Sequence, residues 1–292
     1  MPNTDNNKPV EPKCAFQVQA LIDNGRITRE EIIVLEDKLQ DVNVPPLTDE
    51  QIALFLLSCD RDLDFTIRTI KEFFKARLSG PELFDERCLE REDLQYQLNV
   101  IRYSIFPKRT PDDCAILFHR LQDFSSSHYH MEHSMKLLFM TLDSAVYDYP
   151  PKGLVILFDM QGVGLMHLTR IKMSAIKKFA YYLQDGLPVK LKQIHVVNTQ
   201  YFIDKVMMIL KPFIRKELYN QIHFHPPTDD MSKFHKEVIP KSCLPSDFQG
   251  DLPSVDELHE MNTKKLEEMR PYFDAEQKQR HDFYACRKKT II

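Results

Sequence analysis

The stretch from Gly153 to Phe224 constrains this chain more than any other. It opens as GLVILFDMQGVG, reaches LPVKLKQIHVVNT through a helix-length segment, and continues as YFIDKVMMILKPFIRKEL. Leu154–Phe158 and Ile194–Val197 are short, apolar and bounded by turn residues, the pattern of strands covered on both faces. The segment that follows is apolar over more than one helical face. Phe202, Val206, Ile209, Leu210 and Phe213 make one stripe, and Ile203, Met207, Leu210 and Ile214 make a second beside it. A helix with so wide an apolar arc is either packed on two sides in a large core or touches something besides its own core. Both readings fit the periodicity. Asp204, Lys205, Lys211, Arg215 and Lys216 in the same segment need water, which fits a lid: apolar beneath, over a lipid-sized pocket, and membrane-touching outside. Pro212 removes a backbone donor and should kink the helix.

The spacing of the remaining segments predicts an α/β fold. Strand-like runs fall in Tyr96–Ile105 and Ala115–Leu121, a helix over 129–147, the strand at 154–158, a helix near 169–184, the strand at 194–197 and a helix near 199–218. Strands alternating with helices imply a mainly parallel sheet. Ahead of it, Thr28-Arg-Glu-Glu31 and Thr48-Asp-Glu-Gln51 are capping boxes opening two helices, and a third helix starts near Asp64 and stops near Gly80. Three short helices hold together best when packed on something larger. Ser254-Val-Asp-Glu257 is a third capping box and opens a helix that Pro271 limits. At 292 residues and 43% hydrophobic the chain can bury a sizeable core. The division expected is a flexible terminus at 1–12, a helical domain at 13–92, an α/β domain at 93–250 and a helical tail at 251–292.

Several classes of function are disfavoured. A net charge of −4 argues against wholesale nucleic-acid binding. The first residues carry no signal-peptide pattern, and no apolar run reaches the roughly 18 residues of a membrane span. The six cysteines are scattered, which suggests free thiols in a reducing compartment. His128, His130 and His133 match no dependable zinc spacing and read as surface histidines, so no metal is expected. Gly162-Val-Gly164 follows a strand but lacks the third glycine of a dinucleotide loop. No nucleophile and base stand at recognisable spacing, so an enzyme is not expected, nor a cofactor. Positive charge is local: between Leu187 and Phe224 there are six basic and two acidic residues. That cluster is either a solvated face or a patch for anionic lipid headgroups.

These residues also occur together as motifs. They are Leu54-Phe-Leu-Leu-Ser-Cys59 with Asp62-Leu-Asp-Phe65; Gly153-Leu-Val-Ile-Leu-Phe-Asp159 with Gly162; Pro188-Val-Lys-Leu-Lys-Gln-Ile-His-Val-Val-Asn198; Leu210-Lys-Pro-Phe-Ile214; and Ile239-Pro240 with Leu244-Pro-Ser-Asp-Phe248 and Gly250. In that order, from about residue 20 to 255, the chain resembles the CRAL-TRIO family of lipid-transfer proteins, in its tocopherol and retinaldehyde branch. The resemblance implies an N-terminal helical domain, a lipid-binding α/β domain and a hydrophobic pocket under a mobile helical gate at about 198–221. It further implies pocket contacts from strand residues Leu154, Ile156, Phe158 and Ile194, from Phe179, Leu183 and Leu187, and from Val206, Ile209, Leu210 and Phe213 on the gate. By the same resemblance, Lys190 and Lys192 match a cleft for phosphoinositide headgroups. Glu217 and Gln221 depart from its basic pattern, and Arg215 and Lys216 are the candidates to compensate. The expectation is a cytoplasmic protein, peripheral at anionic membranes, that carries a small hydrophobic lipid of tocopherol, retinoid, carotenoid or terpenoid type. The competing reading is a lipid-sensing interaction module without bulk transfer.

Overall fold

The computed structural model describes residues 11–290; the first ten residues of the expected flexible terminus lie outside that range. Helices α1 (Val18–Asp23), α2 (Arg29–Leu39), α3 (Asp49–Ser58), α4 (Leu63–Ser79) and α5 (Pro81–Phe84) come first. Thr28 accepts from the Glu31 backbone N–H and Thr48 from that of Gln51, and each acid or amide reaches back to its cap. Such a cap contributes about 1 kcal/mol. Two very short helices thus flank the three expected from sequence. Ile70, Phe73 and Phe74 form the buried side of α4.

Next come α6 (Glu92–Val100), β1 (Ile101–Ile105), β2 (Cys114–Leu121), α7 (Met131–Tyr147), β3 (Gly153–Asp159), α8 (Met173–Tyr181) and β4 (Leu191–Val197). They continue as α9 (Ile203–Leu210), α10 (Lys216–Tyr219), β5 (Ile222–His225), α11 (Met231–Glu237), α12 (Val255–Glu268) and α13 (Arg270–Thr290). Three sequence expectations need correction. The first half of Tyr96–Ile105 is helical, because Leu94, Gln97 and Leu98 bury at helical spacing before the chain extends at Ile101. The segment 169–184 is not one helix: a 3-10 turn (Leu165–Arg170), α8 and a π-turn (Tyr182–Gly186) succeed one another. The segment 199–218 is broken rather than kinked. Pro212 cannot donate to the carbonyl four residues back, so α9 stops at Leu210 and a 3-10 turn, Lys211–Phe213, follows.

The sheet runs β1-β2-β3-β4-β5, with β1 antiparallel to β2 and the other pairs parallel. Right-handed crossovers that step one way along a sheet leave their helices on one face. Alternation along the strands divides the packing accordingly. Leu154, Ile156 and Ile194 join the large core beneath α7 and α8, while Val155, Leu157 and Val197 join a second core with Phe234, Phe248 and Leu258.

The large core also runs through the N-terminal helices, from Phe16 to Phe273. At its centre lie three arginines with no exposed surface. Arg77 of α4 meets Asp143 of α7 at 2.6 Å, and Arg87 meets the same carboxylate at 2.6 Å. Glu276 of α13 pairs with Arg77, Arg87 and Arg280, and Arg280 also reaches Asp85 at 2.9 Å. Three positive and three negative charges thus tie α4, α7 and α13 together.

Candidate functional site

A cavity of about 290 Å³ opens between the sheet and the helices on its α7/α8 face. Its floor follows from strand register. Tyr103, His119, Phe158, Val196 and Phe224 are successive partners across all five strands, so their side chains share one face in one row. All five line the cavity. From above it is bounded by Met131, Met135 and Leu138 of α7 and by Ile176, Phe179 and Leu183 of α8 and its extension.

The segment after β4 closes it. Ile203, Val206, Met207 and Leu210 of α9 face inward, and Ile214 and Leu218 continue that side. The opposite side is open to water: Met208 is 71% exposed and Tyr201 is 84% exposed. No residue of α9 is fully buried. The segment is held at its two ends, by Phe202 and by Leu218. Polar latches reinforce those ends. Asn198, at a left-handed φ of 53°, donates to Asp159 at 2.8 Å. At the far end the Gln184 side chain donates to the Phe213 carbonyl and accepts from the Arg215 N–H, and Arg215 pairs with Asp185 at 2.7 Å.

Among the candidate contacts from sequence, Phe158, Phe179, Leu183, Ile194, Val206 and Leu210 line this cavity. Leu154, Ile156, Leu187, Ile209 and Phe213 do not. Leu154 and Ile156 point to the same face as Phe158, but nearer the strand start, where the core is solid. Leu187 is buried in that core after the π-turn. Phe213 sits in the turn at Pro212 and packs on the core, and Ile209 lies on the flank of α9. Tyr103, His119, Tyr129 and His167 were not expected in the wall. The one hint in the sequence is a polar His119 at the end of the apolar run CAILF, and only the register shows which face it takes.

The basic candidates divide into two pairs. Lys190 is engaged by Asp60 and Arg215 by Asp185. Lys192 and Lys216 are exposed, with no ion pair among the described residues. His128 pairs with Asp123 at the surface, whereas His133, 3.4 Å from Asp93, is half-buried rather than the surface histidine expected. Among the described residues no group of three or more His, Cys, Asp or Glu is placed to hold a metal. Gly162 has φ +78° and lies against the Phe124 ring, so it serves a tight turn rather than a phosphate. On the other sheet face, His195 lies 3.0 Å from His225 and stacks on His223. Burial, with those two rings beside it, holds the His195 pKa down to about 3.

No helix among the described residues is long and apolar enough to cross a membrane. Residues 102–250 match the family described as CRAL/TRIO domain. The "Alpha-tocopherol transfer protein-like" protein of Mus musculus is 26% identical over 212 residues, covering 72% of this chain and 60% of that protein. "Clavesin-1" of Xenopus laevis is 24% identical over 152 residues, covering 51% of this chain and 44% of that protein. This chain therefore matches less than two thirds of the length of either relative. A solved structure, "Crystal structure of Sfh5", is similar with a TM-score of 0.49 and 13% identity, covering 89% of this chain and 88% of that one.

Proposed function

We propose, from the fact that this chain belongs to the CRAL/TRIO domain family, that it binds a small, largely apolar lipid in the cavity and carries it between membranes. The observation that carries the reading is the closing segment: α9 lies over an apolar cavity, yet contains no fully buried residue, the buried anchors being Phe202 before it and Leu218 after it. Burial of apolar ligand surface supplies affinity at about 25 cal/mol per Å². The likeness to a relative named alpha-tocopherol transfer protein-like supports the same class of guest.

Release requires α9 to swing away, exposing the cavity face of Ile203, Met207 and Leu210. In water that exposure is unfavourable. A bilayer interface accepts those side chains, and exposed Lys192 and Lys216 add attraction to anionic headgroups. A membrane shifts the closed–open balance only by binding the open form better, which this arrangement does. Phosphoinositide preference belongs to the same proposal, with Arg215 freed from Asp185 when the segment moves.

The deciding experiment is mass spectrometry of the organic extract of natively purified protein, followed by transfer between vesicles. A stoichiometric lipid that is delivered to acceptor vesicles supports the carrier. An empty cavity with a stably co-purifying protein overturns it in favour of an interaction module. The double substitution Lys192→Glu, Lys216→Glu should slow delivery to anionic vesicles about tenfold or more, since each cation near an anionic surface contributes about 1 kcal/mol. Ligand retention in solution should not change. Equal loss of both activities would remove the electrostatic part of the proposal.

A further inference from the structure

We propose that the π-turn Tyr182–Gly186 is a mechanical link through which helix α4 controls the opening of the closing segment, with Gln184 as its positioning residue. The control of lipid release rests on the carrier reading; the link itself does not. Five consecutive residues of the turn meet three parts of the molecule. Tyr182 and Gly186 face α4. The Arg77 guanidinium donates to the Tyr182 hydroxyl at 2.7 Å, and the buried Tyr182 ring lies against those of Phe73 and Phe84. Gly186 lies so close to α4 that a Cβ there would stand 3.0 Å from the Phe73 Cα and 3.1 Å from its backbone nitrogen. Leu183 lines the cavity. Gln184 and Asp185 hold the closing segment.

That hold is made just past the break at Pro212, between the 3-10 turn and α10, where no helix continues to satisfy the backbone. Gln184 Nε2 donates to the Phe213 carbonyl at 3.0 Å, and Gln184 Oε1 accepts from the Arg215 N–H at 2.7 Å. The Arg215 guanidinium returns to the Gln184 carbonyl at 3.0 Å and to the Asp185 carboxylate at 2.7 Å. Turns of the π type are rare and recur at functional sites. On its other side, α4 is fixed to α7 and α13 through the Arg77 ion pairs, whereas α9 has no buried residue. The grip of Gln184 on the segment depends on how the turn seats against α4. A shift of the turn by about 1 Å would carry the Gln184 amide out of hydrogen-bond reach of both groups it holds.

Amide hydrogen exchange of the full chain tests the link. Gln184→Ala should speed exchange across 203–218 about tenfold, the loss of one or two net hydrogen bonds. Gly186→Ala should do the same, although its added methyl points at α4 and not at the segment. The faster exchange should be independent of low urea, because local opening exposes little surface. The double variant should exchange no faster than the faster single one, since both substitutions act through one grip. Tyr182→Phe, which keeps the ring and removes only the hydroxyl facing Arg77, completes the cycle should Gly186→Ala not fold. Unchanged exchange over 203–218 in the variant on the α4 side overturns the link, as do effects that multiply in the double variant. Pyrene, an apolar probe, separates the link from the carrier reading. Its release from the loaded chain into excess phosphatidylcholine vesicles should quicken in step with exchange. Release that stays unchanged while exchange quickens overturns the control of release. A chain that takes up no pyrene while the cycle holds removes the carrier reading and leaves the link standing.

Discussion

Glu276→Gln should destabilise the folded chain by about 3–5 kcal/mol, the usual consequence of leaving a buried charge uncompensated. Glu276 has no exposed surface and faces Arg77, Arg87 and Arg280. The substitution keeps its shape but leaves three buried cations with only Asp143 and Asp85 opposite them. A whole domain is stable by only about 5–15 kcal/mol, so the variant should approach the unfolding threshold. Because the cluster joins α4, α7 and α13, the loss should appear as one cooperative shift of the urea midpoint. As a contrast, Lys75→Ala, which breaks the exposed pair with Glu72, should change stability by less than about 1 kcal/mol. A loss below that size for Glu276→Gln would show that the cluster is hydrated in solution and is not the pin it resembles.

Acidification from pH 7 towards pH 4 should weaken the fold steeply, before Glu276 of that cluster titrates. An ordinary histidine ionises near 6.5. Burial depresses His119 to about 4, and burial with His225 and His223 depresses His195 to about 3. Burial also lowers His167 and His259. The sign follows from which state takes the proton first. The unfolded chain binds it near pH 6.5, while the folded rings resist it until much lower pH. The stability due to the neutral rings is therefore complete above about 6.5 and is lost as pH falls from there towards the folded values. Each such ring contributes a slope of about 1.4 kcal/mol per pH unit, so His119 and His195 together give about 2.7. Glu276 behaves differently. Its burial raises the pKa, but Arg280, Arg77 and Arg87 outweigh that and hold it below its ordinary 4.5. Its contribution therefore persists until the pH falls below about 4.5. Urea unfolding at a series of pH values checks the window; a flat profile between pH 7 and 5 would mean that the histidines are solvated. His195→Asn should remove about half of the slope given by the two rings together.

How legible all this was depends on the range of the interactions involved. The caps at Thr28, Thr48 and Ser254 are contacts across three residues, and each appears where the sequence places it. The stripe Ile203, Met207, Leu210 and Ile214 faces the cavity because helical periodicity is local. Pro212 ends a helix through its own missing N–H, although the sequence alone did not tell a kink from a break. The pocket wall was less readable. Leu154, Ile156 and Phe158 are equivalent by alternation, and only Phe158 reaches the cavity. The difference lies in how far α7 and α8 extend over the strand, which no run of residues on that strand encodes. Arg77 and Arg280 are charged residues on helices and Arg87 lies in a loop, places that ordinarily mark a solvated surface; their burial depends on acids up to about 200 positions away, and the ion pairs, not the composition, reveal it.

By itself, the sequence determined the class of fold, the family motifs and a closing segment too apolar for one buried face. Those properties come from spacings within a turn or a strand and from motifs kept in one order. The tertiary structure alone decided that Tyr103, His119, Phe158, Val196 and Phe224 form one floor and that the arginine cluster is buried. Strand register and helix overhang set those features, and both arise from pairings between distant parts of the chain. Local physics leaves such pairings open until the whole core packs.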